Sequence, residues 1–175
     1  SRTPLCVDLD GTLLKTDTLH ELVVRVLKQQ PWLLFALPFW LLRGKHILKR
    51  ELSLRCQLDA SLLPVNREFV DFLRAEHAGG RPLFLATGAY HSLAQSVADH
   101  YGFFAGVFAT DDQQNLTGPR KAALLVEKFG DKGFAYAGND KVDVPVWERA
   151  QETYLVNASP ATAARVSKQF TFARQ

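Results

Sequence analysis

Along most of this chain, short apolar runs closed by turn residues alternate with stretches whose apolar residues recur at helical spacing. The runs fall at residues 5–7, 82–86, 103–109, 134–137 and 153–156, and each reads as a strand. A helix is predicted from Asn66, its N-cap, to Gly79, with Phe69, Val70, Phe72 and Leu73 on its buried face. Further helices are expected over 90–101, from Pro119 as first residue to Phe129, and over 144–150. Ser159 and Pro160 open a closing helix, while the polar residues 111–118 predict a turn or small hairpin. Buried strands alternating with helices predict an α/β fold with a doubly wound parallel sheet.

The stretch between the first two strands departs from this rhythm. Thr18 and Glu21 form a capping-box pattern, followed at helical spacing by Leu19, Leu22, Val23, Val26 and Leu27. Residues 31–42 then carry two Trp, two Phe and five Leu, interrupted by Pro38. A spanning helix needs about 20 apolar residues, so this segment is too short to cross a membrane. Next to it Arg43, Lys45, Lys49, Arg50 and Arg55 form a basic run opposed only by Glu51. Such a pairing suits an interfacial segment on an anionic membrane, but two helices burying their aromatics against each other would read the same way. Residues 15–65 are therefore expected as a helical cap inserted into a core domain made of 1–14 and 66–175.

Composition narrows this picture without redirecting it. The chain has 175 residues, 47% apolar and 22% charged, enough to bury one core. A net charge of +3 gives no case for nucleic acid as a partner. Cys6 and Cys56 lie far apart in no paired pattern, which predicts a reducing compartment and no zinc site. None of the five histidines has metal-ligand spacing. The first strand begins almost at residue 1, so no signal peptide is expected, and the lack of any Met suggests a piece of something longer.

The chemistry is concentrated where the first strand ends. Asp8 and Asp10 follow Leu5-Cys6-Val7 and are themselves followed by Gly11, Thr12 and Leu13. Alternate residues of an extended chain point the same way, so both carboxylates can face one site at the carboxyl end of the sheet. Two carboxylates that close need a cation, and hard oxygen ligands favour Mg²⁺. A lone Asp-x-Asp is often only a turn. Likewise Thr87-Gly88 is by itself a turn after a strand, and Lys121 by itself a solvated lysine. Their order, each after an apolar strand, sets them apart.

Asp8-Leu-Asp-Gly-Thr-Leu13 resembles the first motif of the haloacid dehalogenase superfamily of aspartate-nucleophile phosphohydrolases. Thr87-Gly88, Gly118-x-x-Lys121 and Gly138-Asn-Asp-Lys-Val-Asp143 resemble its second, third and fourth motifs. The resemblance implies Asp8 as nucleophile, Asp10 as general acid and base, and Thr87, Gly88 and Lys121 around the phosphate, with Arg120 as the fallback cation. It implies Mg²⁺ held by Asp8, Asp10, Asn139 and Asp143. Asn139 stands where an aspartate is usual, which predicts weaker metal binding; Asp140, displaced by one, is an alternative ligand. Residues 136–147 and 155–157 and the apolar cap are similar to the soluble domain at the N-terminus of some bacterial UbiA-type membrane prenyltransferases. That similarity implies a small or polyprenyl-linked phosphate monoester as substrate, a membrane domain or surface as partner, and a cytoplasmic location at the inner face of the membrane. A non-catalytic docking module is the alternative that Asn139 keeps open.

Overall fold

The computed structural model describes residues 2–56 and 58–173. Residues 1, 57, 174 and 175 of the expected core and cap lie outside that description. Five strands form one parallel sheet: β1 (Leu5–Val7), β2 (Leu83–Tyr90), β3 (Gly106–Thr110), β4 (Ala135–Gly138) and β5 (Glu152–Leu155), in the order β3-β2-β1-β4-β5. β1 is central, with Val7 opposite Leu85 on one side and Ala137 on the other. The chain leaves β3 at one edge and returns to β4 beside β1. This reversal of direction opens a crevice at the carboxyl ends of β1 and β4, where ligands of open α/β sheets bind. The expected doubly wound α/β fold is the one observed.

Period-two alternation divides β1 between two cores. Leu5 and Val7 join Leu83, Leu85, Phe69 and Leu73 on one face, while Cys6 joins Phe134, Tyr136, Leu125 and Trp147 on the other. The first face is covered by α4 (Arg67–Ala78) and α5 (His91–Tyr101), the second by α6 (Pro119–Phe129), α7 (Val144–Trp147) and α8 (Pro160–Val166). β1 and β4 are buried on both faces, which is why they read as continuous apolar runs.

Between β1 and α4 the chain forms α1 (Thr18–Gln29), a 3₁₀ turn over Pro31–Phe35, α2 (Leu37–Leu42) and α3 (Lys45–Arg55). Leu22, Val26, Trp40, Leu48 and Leu52 anchor this helical insertion in the first core. Among the described residues no helix is long and apolar enough to cross a membrane.

Several local expectations are corrected by hydrogen bonding. Asp17, not Thr18, caps α1 by accepting from the N–H groups of Leu19 and His20, and Glu21 instead accepts from the Thr16 hydroxyl. Pro38 opens α2 rather than interrupting a helix, because a proline at the second position gives up no intrahelical bond. The turn expected over residues 111–118 does form, with Asp111 accepting from the N–H groups of Gln113 and Gln114. α7 begins at Val144 as expected but ends at Trp147 rather than near 150, where Arg149 N–H reaches back only three residues, to the Val146 carbonyl.

At the opposite end of the sheet from the crevice, Arg81 is almost fully buried. It donates to the Thr3 carbonyl, Glu76, Glu152 and the Tyr154 hydroxyl. Burial alone would raise the Glu152 carboxyl, but hydrogen bonds from Tyr154 and Arg81 hold it below the usual glutamate range. Its contribution is therefore complete above that range and lost as pH falls through it. Arg81→Met is expected to cost about 2–3 kcal/mol at neutral pH, because Glu76 and Glu152 can partly rehydrate. Urea unfolding should show that deficit shrinking below about pH 4. A deficit that does not change with pH would mean that packing, not charge pairing, is what Arg81 contributes.

Candidate active site

The first turn after β1 is wide rather than helical. Leu13 N–H reaches back to the Asp8 carbonyl and Leu14 N–H to the Leu9 carbonyl, with Gly11 at φ +72°. Asp8 N–H donates to the Ala137 carbonyl, so the start of this turn is tied to the end of β4. A Cβ on Gly11 would meet the Asn139 amide at 2.1 Å. Gly11 is thus required twice, by its left-handed backbone and by the close approach of the β4 loop.

The turn delivers Asp8 and Asp10 to a cleft of about 530 Å³, which Gly88, Asn115, Lys121, Asn139, Asp140 and Asp143 also line. Volumes of this size suit a small ligand. The Asp8 carboxylate accepts from the Lys121 ammonium at 2.8 Å. Lys121 also donates to the Tyr136 hydroxyl at 2.7 Å, and that hydroxyl donates to Asp143 at 2.7 Å. Asp10 lines the same cleft and accepts from Thr18 N–H at 2.8 Å, on the first residue of α1.

Lys121, not Arg120, is the site cation: it is buried and Arg120 is exposed. Gly118, at φ +51°, and Pro119 start α6 so that its third residue turns inward. Asp143, expected among the metal ligands, has another task. One of its oxygens accepts from Asn139 N–H at 3.0 Å and Asp140 N–H at 3.2 Å, the other from Tyr136, with Lys121 at 3.6 Å. These bonds engage most of its lone pairs and hold the loop after β4. The carboxylate closes over Gly138, where a Cβ would meet it at 2.6 Å. Asp140 and Asp143 close a capping box, the Asp140 side chain accepting from Asp143 N–H as well as from Lys141 N–H. Thr87 is fully buried and its hydroxyl accepts from Ala89 N–H, so Gly88 rather than Thr87 lines the cleft.

Two residues of the site escape sequence reasoning. Tyr136 is an apolar-run residue whose hydroxyl bridges Lys121 and Asp143. Lys49 reaches from α3 to donate to the Gly88 carbonyl and to Asn115 at 2.7 Å, joining the insertion to the core at the cleft. In the sequence it is one of five neighbouring cations, and nothing distinguishes it from those left in solvent. Burial lowers its pKa against the pull of Asp10 and Asp17.

The electrostatics are those of a site short of positive charge. Burial raises the Asp8 pKa; Lys121 pulls it down, Asp143 and Asp10 push it up, and it stands at about 7. Burial likewise raises Asp10 against the pull of its bond to Thr18. The oxygen donors along the cleft include those of Asp8, Asp10 and Asn139. All are hard oxygens of the kind Mg²⁺ takes. Among the described residues no three His, Cys, Asp or Glu side chains group as a metal site. Asn139 supplies a neutral donor and the Asp143 oxygens are engaged, so the set fits Mg²⁺ with fewer anionic ligands than a carboxylate triad.

Removing Lys121 should show how much the site depends on it. In metal-free buffer Lys121→Met is expected to destabilise the fold by about 3–5 kcal/mol at pH 7, since it leaves buried carboxylates unpaired. A carboxyl raised in the folded state adds stability at low pH and loses it as pH rises toward its folded pKa. The difference between variant and wild type should therefore narrow from pH 7 to pH 5. Equal stability of the two proteins at pH 7 would show that the carboxylates are solvated enough to stand alone.

Comparison with known proteins places this geometry. The uncharacterized protein y4nM of Sinorhizobium fredii is 36% identical over 156 residues, which cover 89% of this chain but 30% of that protein. The chain thus spans under a third of that relative's length. A structure of a protein of unknown function from Bordetella pertussis matches with a TM-score of 0.73 at 16% identity, over 97% of this chain and 96% of that one. A phospho-aspartyl intermediate analogue of phosphoserine phosphatase matches with a TM-score of 0.63 at 14% identity, over 94% and 91%. At such identities these two structures share the fold. The family model described as haloacid dehalogenase-like hydrolase matches residues 5–145, from β1 through the fourth motif, and the chain belongs to that family.

Proposed function

We propose that this chain is a Mg²⁺-dependent phosphohydrolase that cleaves a phosphate monoester through an aspartyl-phosphate on Asp8. The observation that carries the proposal is the Asp8 carboxylate at the end of β1, 2.8 Å from a buried ammonium in a cleft that Asp10 also lines. Membership of the haloacid dehalogenase-like hydrolases supports it, as does a fold shared with a phosphatase whose intermediate is phospho-aspartyl.

An Asp8 oxygen attacks phosphorus while the bond from phosphorus to the leaving oxygen breaks. That oxygen takes the proton of Asp10, whose raised pKa keeps it protonated to higher pH than an exposed aspartic acid. The Asp10 carboxylate then takes a proton from water. The water oxygen attacks phosphorus, the bond to Asp8 breaks and inorganic phosphate leaves. Lys121 offsets the charge shared by Asp8 and the phosphoryl oxygens, and Gly88 of β2 borders the same space. Asp143 and Tyr136 position Lys121 without touching substrate. Mg²⁺ held by Asp8, the Asp10 carbonyl and Asn139 would supply the positive charge that lets nucleophile and phosphate meet.

The proposed substrate is a small or lipid-linked phosphate monoester. It is a polyprenyl-linked one under the coupling to a membrane prenyltransferase that residues 136–147 and 155–157 imply. Leu19, Leu41, Leu48 and Val142 along the cleft support an apolar portion. The helical insertion is proposed as the cap that closes over it. The second reading, a non-catalytic docking domain, draws on Asn139, which brings no charge where an acidic ligand is usual.

Asp8→Asn is expected to lower Mg²⁺-dependent turnover of an aryl phosphate by more than about a thousandfold with the fold intact. Retention of a tenth of the activity would rule out the covalent route, and a wild type without turnover would favour the docking reading. Asn139→Asp adds an anionic hard ligand and should lower the half-saturating Mg²⁺ concentration. An unchanged midpoint would move Asn139 out of the metal's first coordination sphere.

A further inference from the structure

The helical insertion has two sides of opposite character. Inward, Trp40 is buried beneath the Arg55 guanidinium, 4.7 Å from its ring centre, and Leu48 and Leu52 join the core. Outward, the 3₁₀ turn and α2 leave Trp32 64%, Phe35 86%, Phe39 60% and Leu42 87% exposed. Leu34 and Leu41 are about half exposed beside them, and Leu41 also lines the cleft, so the apolar face runs to its rim. Single exposed apolar residues need no explanation, but six within eleven positions on one short segment do.

Charge decides what fits this face. From Leu22 to Arg50 the sequence carries Arg25, Lys28, Arg43, Lys45, Lys49 and Arg50 and no carboxylate. Lys49 and Arg50 are engaged with the core, at Asn115 and Asp112. Arg43 stays exposed with its guanidinium 5.7 Å from the Phe39 ring centre, at the edge of the apolar face. A second copy of the chain docked face to face would bring like charges together. An anionic bilayer offers apolar depth for the aromatic rings and negative headgroups for the cations around them. The segment is too short to cross, and no described helix does, so it would lie in the interface plane.

We propose that Trp32, Leu34, Phe35, Phe39 and Leu42, with Arg43 at their edge, seat the chain on the surface of an anionic lipid bilayer. The cleft then opens beside that surface. This docking stands apart from the reaction proposed above and needs no turnover to be detected.

The test is co-sedimentation of the chain with vesicles of phosphatidylcholine alone and with about a third phosphatidylglycerol added. Binding is expected on the anionic vesicles, roughly tenfold weaker on the neutral ones, and weakened by high salt. The triple variant Trp32→Ser, Phe35→Ser, Leu42→Ser should lose roughly tenfold or more of that binding. Its circular dichroism melting curve should match wild type, since these side chains support no core. Arg43→Glu should weaken binding to anionic vesicles only. The proposal is overturned by a wild type that ignores both vesicle types, by equal binding to both, or by a folded triple variant that binds as well as wild type. It is equally overturned if sedimentation velocity shows a dimer that the triple variant abolishes, since the face would then be covered by a second copy.

Discussion

The charge of Lys121 is what the rest of this structure is built around. Asp8, Asp10 and Asp143 converge where β1 and β4 end, and bringing them out of water raises their energy unless a cation accompanies them. Lys121 donates directly to Asp8 and, through the Tyr136 hydroxyl, extends its influence to Asp143. These contacts lock three elements in register: the turn after β1, the end of β4 and the first turn of α6. Tyr136 makes the arrangement possible from the opposite core, because its ring packs among Leu125, Phe134 and Trp147 while its hydroxyl reaches the site.

The same arithmetic explains why the site is only partly compensated. One ammonium stands against three carboxylates, with Lys49 approaching from the insertion but committed to Gly88 and Asn115. Asp8 therefore keeps an appetite for positive charge, expressed as a pKa of about 7. A site that were neutral at rest would be more stable and would have less use for a cation or an incoming group. Here the surplus of negative charge is held in place by packing that belongs to the sheet and helices, so stability elsewhere supports a strained electrostatic balance at the cleft.

The insertion follows a different logic. Its inner side is bound by apolar contacts and by Lys49 and Asp10, whose bonds to Gly88 and to Thr18 tether α3 and α1 to the core. Its outer side carries apolar rings that no described residue covers. Pro31 and Pro38 stand in the first turn of the two elements concerned, the 3₁₀ turn and α2. Within α2, Trp40 lies about 100° round the helix axis from Phe39, so one turns inward while the other faces outward.

Much of this was legible in the sequence because it depends on local periodicity and order. The five apolar runs became five parallel strands, since a run buried on both faces needs no partner information to be recognised. Gly11 and Asp8 mark a turn at the end of a strand, and Pro119 marks a helix start that carries Lys121 inward. What the sequence left open were the matters decided by residues distant along the chain. Asp17 rather than Thr18 caps α1 because Thr18 N–H is claimed by Asp10. Asp143 accepts from Tyr136 and two amides instead of facing outward, because strand β4 and its loop fold back upon each other. Lys49 became a site residue only when α3 was packed against β2. Likewise the segment 31–42 was equally consistent with a buried hairpin and an exposed apolar face, since its composition is the same in both. Only the packing of the insertion against the sheet, which has room for Trp40 but not for Trp32, Phe35 or Phe39, decided which one forms.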